Sequence, residues 1–173
     1  TIALYAFAVI AKAKGKTEAV TYFDSLAHDR AAELEKRFPN HLPLSFDSGE
    51  DTYSLKYNLA ADKMLGSNLF DQKLLEREVD LYISKLNKFG CPLDSRKAFT
   101  KSDWLMWVAA LTENDEKRKK MITPLTKFLT DSPKRVPYSD WYDTVTGEVP
   151  MFRNRTVQGG LYVLPLLDKK TGN

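Results

Sequence analysis

A chain of 173 residues has the size of one domain and can bury about 70% of its unfolded surface. With 43% hydrophobic and 28% charged residues it is not a disordered chain, and no apolar run approaches the roughly 18 residues of a membrane span. The net charge of +3 is a small difference between 26 basic and 23 acidic residues, and the densest basic run, Lys117 to Lys120, lacks the interleaved aromatics of a single-strand platform, so no nucleic-acid partner is expected.

The first stretch, "TIALYAFAVIAKAKG", places Lys12, Lys14 and Lys16 after the apolar residues, the reverse of a secretory leader. It is expected to be a mature or trimmed start inside a helix. From Thr17 to Phe38, Val20, Phe23, Ala27, Ala31, Leu34 and Phe38 recur at three and four and predict a helix with one buried stripe. "FPNHLPLSFDSGEDTYS" reads as a long irregular loop. Helical spacing resumes through Leu55, Leu59 and Met64 and stops at Gly66. Asp71 suits the N-cap of the next helix, which runs by Leu75, Val79, Tyr82, Leu86 and Phe89 to a stop at Gly90-Cys91-Pro92.

A loop then leads to a helix capped by Thr100 or Ser102, with Asp103 at its positive end and Trp104, Trp107, Val108 and Leu111 on its apolar face. Asn114 caps a helix to about Leu129, perturbed at Pro124. Beyond Ser132 the chain reads as irregular, with Gly159 and Gly160 allowing close backbone approach and Leu161 to Leu167 forming a last helix or strand. The prediction is an all-α fold of some six helices in antiparallel hairpins, treated as one domain over residues 1–173, with an irregular C-terminal loop region.

Few chemistries fit the polar residues. His28 and His41 carry no metal-ligand spacing, so neither metal nor cofactor is expected. No phosphate loop, dinucleotide fingerprint or nucleophile elbow is present, and Cys91 reads as a buried hydrophobe. Carboxylates beside aromatics remain: Asp62, Asp94, Asp103, Asp140 and Asp143. An aspartate desolvated by a tryptophan gains a raised pKa suited to acid catalysis, and one held by an arginine stays ionised. Asp103 also suits a plain helix start and Asp140 a turn before Trp141. "NRT", Asn154 to Thr156, is a glycosylation sequon.

Three stretches in order, "YNLAADKMLGSNLF", "GCPLDSRKAFTKSDWLMWVAAL" and "RVPYSDWYDTVTGEVPMFRNRTVQGG", resemble the central domain of the fungal glutaminase A family. The resemblance implies part of an (α/α)6 toroid of six helical hairpins, secretion, and hydrolysis of glutamine to glutamate and ammonia. It sets "PLDSR", "KSDW", "SDWYDT" and "FRNRTVQGG" near the mouth of the ring. Two positions depart from the family pattern, which usually has tryptophan at Ala61 and valine at Gln158. A complete ring needs about a dozen helices and this chain supplies roughly half, its C-terminal half, so the missing N-terminal half or a second copy is an expected partner.

The leading expectation is a hydrolase in which water attacks a side-chain amide. Asp140, Asp143 and Asp103 are its candidate acids and bases. Asp62, Asp94, Arg96, Lys101, Trp104, Trp141, Arg153 and Arg155 are candidate substrate contacts, with one of the arginines gripping the substrate carboxylate. Two rivals stand beside it. One is a glycoside hydrolase with Trp104 and Trp141 as stacking platforms, taking a sugar instead of an amino acid amide; the other is a non-catalytic binding protein on the same scaffold.

Overall fold

The computed structural model describes residues 1–44, 49, 51–134 and 137–171. Its helices are α1 (Ile2–Ala13), α2 (Thr17–Arg37), α3 (Ala60–Leu65), α4 (Gln72–Ser84), α5 (Ser102–Ala109), α6 (Asp115–Asp131) and α7 (Val163–Thr171). Short 3-10 segments, Tyr57–Leu59 and Thr156–Tyr162, lead into α3 and α7. The fold is all-α, apart from a two-stranded antiparallel ribbon of β1 (Phe99–Lys101) and β2 (Trp141–Asp143).

Helices α1 and α2 form a hairpin, turned at Gly15 in the left-handed region (φ 66). The buried residues of both helices are alanines, Ala8 and Ala11 in α1 and Ala27 and Ala31 in α2. Phe7 meets Phe23 edge to face at 4.6 Å. The predicted stripe from Val20 to Phe38 is buried or half-buried throughout, as its spacing required.

Asp71 caps α4 by accepting a hydrogen bond from the Lys73 N–H at 2.8 Å, and Asn114 caps α6 through the Lys117 N–H at 3.0 Å. Leu74, Leu75, Val79 and Tyr82 of α4, Leu105 and Val108 of α5, and Met121, Leu125 and Phe128 of α6 make the core. Phe128 stacks on Tyr142 of β2 at 3.5 Å, which ties the ribbon to the helices. Leu55, Leu59 and Val108 lie inside this core, and Trp107 packs half-buried against it. Large apolar side chains exposed elsewhere include Phe7, Val9, Ile10 and Tyr22 on the first hairpin, and Met151, Tyr162 and Leu166 near the C-terminal end.

Several boundaries differ from the sequence reading. Leu55 is extended and the helix starts at Tyr57, because the Leu55 N–H is drawn to the Leu93 carbonyl at 2.8 Å. Helix α4 ends at Ser84; Asn87 and Gly90 pair backbone to backbone, and Gly90 adopts a φ of 142 with Leu105 pressed against it. Neither Thr100 nor Ser102 caps α5: Lys101 occupies that position, Thr100 belongs to β1, and Ser102 is already helical. Pro124 lies inside α6 without ending it. Leu161 to Leu167 passes from 3-10 into α-helix.

A buried carboxylate holds the long loop before α3. Glu78 accepts from the Leu42 N–H at 2.5 Å and from the Tyr82 hydroxyl at 2.6 Å, while the Lys56 ammonium donates to Pro43 O and Ser54 Oγ, each at 2.6 Å. The stretch around "FDSGE" in that loop, and Arg135 and Val136 ahead of β2, fall largely outside the described residues.

Candidate active site

The site is built where the ribbon runs into α5. In both strands only the central residue is buried, so Phe99, Lys101, Trp141 and Asp143 share the outer face, with Lys101 directly across from Trp141 and Phe99 across from Asp143. Phe99 meets Trp141 edge to face at 5.4 Å, and Phe152 stacks on Trp141 at 4.8 Å. Trp104, in the first turn of α5, stacks on Tyr57 at 3.9 Å, and the Lys101 ammonium lies 5.2 Å from the centre of the Trp104 ring. One face of each of these two indoles is therefore already covered by another ring.

Beside the ribbon, the Asp94 carboxylate accepts from the Arg96 backbone N–H at 2.9 Å and from Arg96 Nε and Nη2 at 3.0 and 2.6 Å. Burial alone would raise the Asp94 carboxyl, but these bonds to Arg96 outweigh it and hold it below the usual carboxylate range. Two grooves flank this pair. One of about 250 Å³ is walled by Phe99, Lys97 and Trp141; the other, of about 330 Å³, by Tyr57, Lys56, Leu55 and Trp104; Leu93, Asp94 and Arg96 line both.

Behind the aromatic rim lies a polar cluster. The segment Tyr138 to Asp140 crosses the start of α5: the Ser102 N–H donates to the Asp140 carbonyl at 2.9 Å, and the Tyr138 hydroxyl donates to Ser102 Oγ. Asp140 is fully buried, and both of its oxygens are taken by Arg155, Nε at 2.9 Å and Nη2 alongside. Arg155 itself lies over Phe152, 4.3 Å from the ring centre.

Asp103 is different. It is 9% exposed, and its Oδ1 is out of solvent and accepts no hydrogen bond among the described residues. Its carboxyl is pushed up, first by burial and then by the neighbouring Asp140, against the opposing pull of its own first-turn N–H groups and of the Lys101 charge. Buried polar atoms are nearly always paired, so this carboxylate oxygen beside a rigid ion pair is an exception. The Trp141 indole N–H is likewise buried without a partner among the described residues.

The 3-10 segment before α7 closes the cluster from above. A Cβ on Gly160 would stand 2.6 Å from Trp107 Nε1 and 2.9 Å from Asp103 Cβ, whereas one on Gly159 would meet nothing within 4 Å. Only the second of the two glycines is thus required by packing. Gly160→Ala is expected to cost about 1–3 kcal/mol in urea denaturation, as overpacking does, with Gly159→Ala within about 0.5 kcal/mol of the parent.

The structure brings Asp103, Asp140, Arg155, Lys101, Trp104 and Trp141 together, with Asp94 and Arg96 on the adjoining wall. Asp143 lies at the far end of β2, where its Oδ1 accepts from the Val145 and Thr146 N–H groups at 2.8 Å and closes a turn. Arg153 is exposed and bridges Ser139 through its backbone. Asp62, within α3, is buried, accepting from the Ser67 hydroxyl and from the Leu69 and Phe70 N–H groups at 3.0 and 3.3 Å. That is a loop-organising role, and Asp62→Ala, which strands two buried N–H groups, is expected to lower unfolding free energy by about 3 kcal/mol in chemical denaturation.

Cys91 is buried, and burial pushes its thiol up to about 12, far from a thiolate nucleophile. Tyr57, Tyr138 and Phe152 were not singled out by sequence, and Ser102 only as a helix cap. Their common signal is that each lies within one of the three stretches that resemble the glutaminase A domain.

The all-α helices and the α1–α2 hairpin define a helical-hairpin domain. The profile of the glutaminase A six helical-hairpin domain matches residues 1–165, and the chain belongs to that family. It is 33% identical over 175 residues to glutaminase A of Aspergillus oryzae, an alignment covering 96% of this chain and 25% of that protein. It is 23% identical over 202 residues to a probable glutaminase of Arthroderma benhamiae, covering 97% of this chain and 23% of the relative. The chain thus spans about a quarter of the length of these curated relatives. No solved structure matches it.

Proposed function

We propose that this chain carries the acid–base part of an amide-hydrolysing site whose substrate is L-glutamine. The single observation behind this reading is Asp103, a buried carboxyl with an unpaired oxygen at the opening of α5. Asp140 and Arg155 act as its rigid support, because a bidentate pair that is fully engaged has no oxygen left to exchange a proton with a ligand. The acid and base roles therefore fall to one group, in contrast to an arrangement of two aspartates.

In this mechanism ionised Asp103 takes a proton from water while the water oxygen bonds to the amide carbon, whose π electrons pass to the carbonyl oxygen. Asp103 then returns the proton to the amide nitrogen. The electrons on the carbonyl oxygen re-form the C=O bond as the carbon–nitrogen bond breaks, ammonia leaves, and the new carboxylic acid gives up its proton to become glutamate. The rest of the ring of hairpins would come from further chain of the same protein or from a second copy, and the family resemblance favours a secreted protein.

A sugar substrate is less well supported, since each candidate platform tryptophan has one face covered by Tyr57 or Phe152. The test is release of glutamate and ammonia from L-glutamine by the intact protein. Binding of glutamine without release would favour the non-catalytic scaffold and overturn the hydrolase.

A further inference from the structure

We propose that Lys101 binds the α-carboxylate of the amide substrate, which makes the site selective for a free amino-acid amide over one whose α-carboxylate is blocked. The inference rests on the hydrolase reading above and adds to it the recognition of the substrate's fixed charge.

The other cations at the site are spoken for or exposed. Arg96 is held at two points by buried Asp94, and Arg155 at two points by fully buried Asp140, so lending either to a ligand would strand a buried carboxylate. The Lys56 ammonium is spent on Pro43 O and Ser54 Oγ. Lys97 and Arg153 are exposed, where water screens their charge.

Lys101 differs on each count. It is half-buried on the outer face of β1, and its ammonium makes no ion pair or hydrogen bond among the described residues and lies 5.2 Å from the centre of the Trp104 ring. A cation held against an indole is partly desolvated yet keeps its N–H donors, the condition under which a carboxylate contact is strong. It precedes Asp103 by two residues, and its charge acts on the Asp103 carboxyl, favouring the ionised form. In L-glutamine a short carbon stem separates the α-carboxylate from the side-chain amide. The proposal requires a substrate whose amide meets Asp103 to extend its carboxylate to the Lys101 ammonium.

The test compares ammonia release from L-glutamine and from its α-amide by the intact protein as parent, as Lys101→Met, which keeps the stem on Trp104, and as Lys101→Arg, which restores the charge. Lys101→Met is expected to raise KM for glutamine about 10- to 100-fold, the worth of one charge-assisted hydrogen bond. Its kcat should hold and its KM for the α-amide stay unchanged, so that the parent's preference disappears; Lys101→Arg should recover part of it. An equal loss on both substrates, a fall in kcat at constant KM, or no change at all would overturn the assignment while leaving the hydrolase intact. A parent that releases ammonia from neither substrate would sink the hydrolase reading, and this inference with it.

Discussion

Asp103→Asn is expected to lower kcat for glutamine hydrolysis about 10²- to 10⁴-fold, the range for removing a positioned acid–base group, with little change in KM. Asparagine matches the carboxylate in shape, so α5 and its neighbours should keep their places. The stability of the variant gives an independent check on the same residue. Because burial raises the Asp103 carboxyl in the folded chain, the folded state holds its proton more tightly than the unfolded one. Parent stability should therefore fall as pH rises from the ordinary aspartate value of 3.8 through the raised folded value, and the asparagine variant, which has no proton to lose, should escape that fall. At neutral pH the inactive variant is thus expected to be as stable as the parent or more so, by urea denaturation at pH 4 and pH 7. An equal loss of activity and stability would mean that Asp103 is structural.

The acid limb of the kcat/KM profile belongs to the same group. If Asp103 must be ionised to accept a proton from water, activity falls as pH drops through its raised pKa, above the usual carboxylate range. Asp140 facing it holds that limb up and Lys101 draws it down. Removing the Lys101 charge should move the limb further up.

Arg155→Met should lower folding stability by about 3 kcal/mol, at the low end of the range for breaking a buried pair because the guanidinium is partly open to water. The methionine stem retains contact with Phe152 but leaves the Asp140 carboxylate fully buried and unpaired. Arg155→Met together with Asp140→Leu should restore most of that stability, because burying neither charge is far less costly than burying one. Activity should not return with it, since Asp103 would then stand beside an apolar wall. Equilibrium denaturation of the two variants with ammonia release decides both points; a destabilisation well below 1 kcal/mol in the single variant would show that Asp140 is solvated in the folded protein.

Helix periodicity was legible where one face met one core. The stripe from Val20 to Phe38 and the caps at Asp71 and Asn114 follow from local rules, and the structure agrees with them. The ribbon was not legible, because strands of three residues have too few positions for an alternation to stand out, and their partners lie some forty residues apart. The same distance hid the sorting of the aspartates. Asp62, Asp94, Asp103, Asp140 and Asp143 look alike in sequence, each beside an aromatic or a turn. They separate only when Arg155 folds back on Asp140, Arg96 on Asp94, and the backbone of two loops on Asp62 and Asp143, leaving Asp103 with an oxygen to spare. Gly160 illustrates the limit from the other side: "QGG" announces close approach, but only Trp107 and Asp103 reveal which glycine needs it.

The three tryptophans of the chain are Trp104, Trp107 and Trp141, and all lie around Asp103: one stacked on Tyr57, one under Gly160, one across the ribbon from Lys101. No indole remains in the α1–α2 hairpin or in α4 and α6. The indole emission of the chain therefore originates in one region, and the molecule carries its own optical reporter of whatever enters or leaves that region.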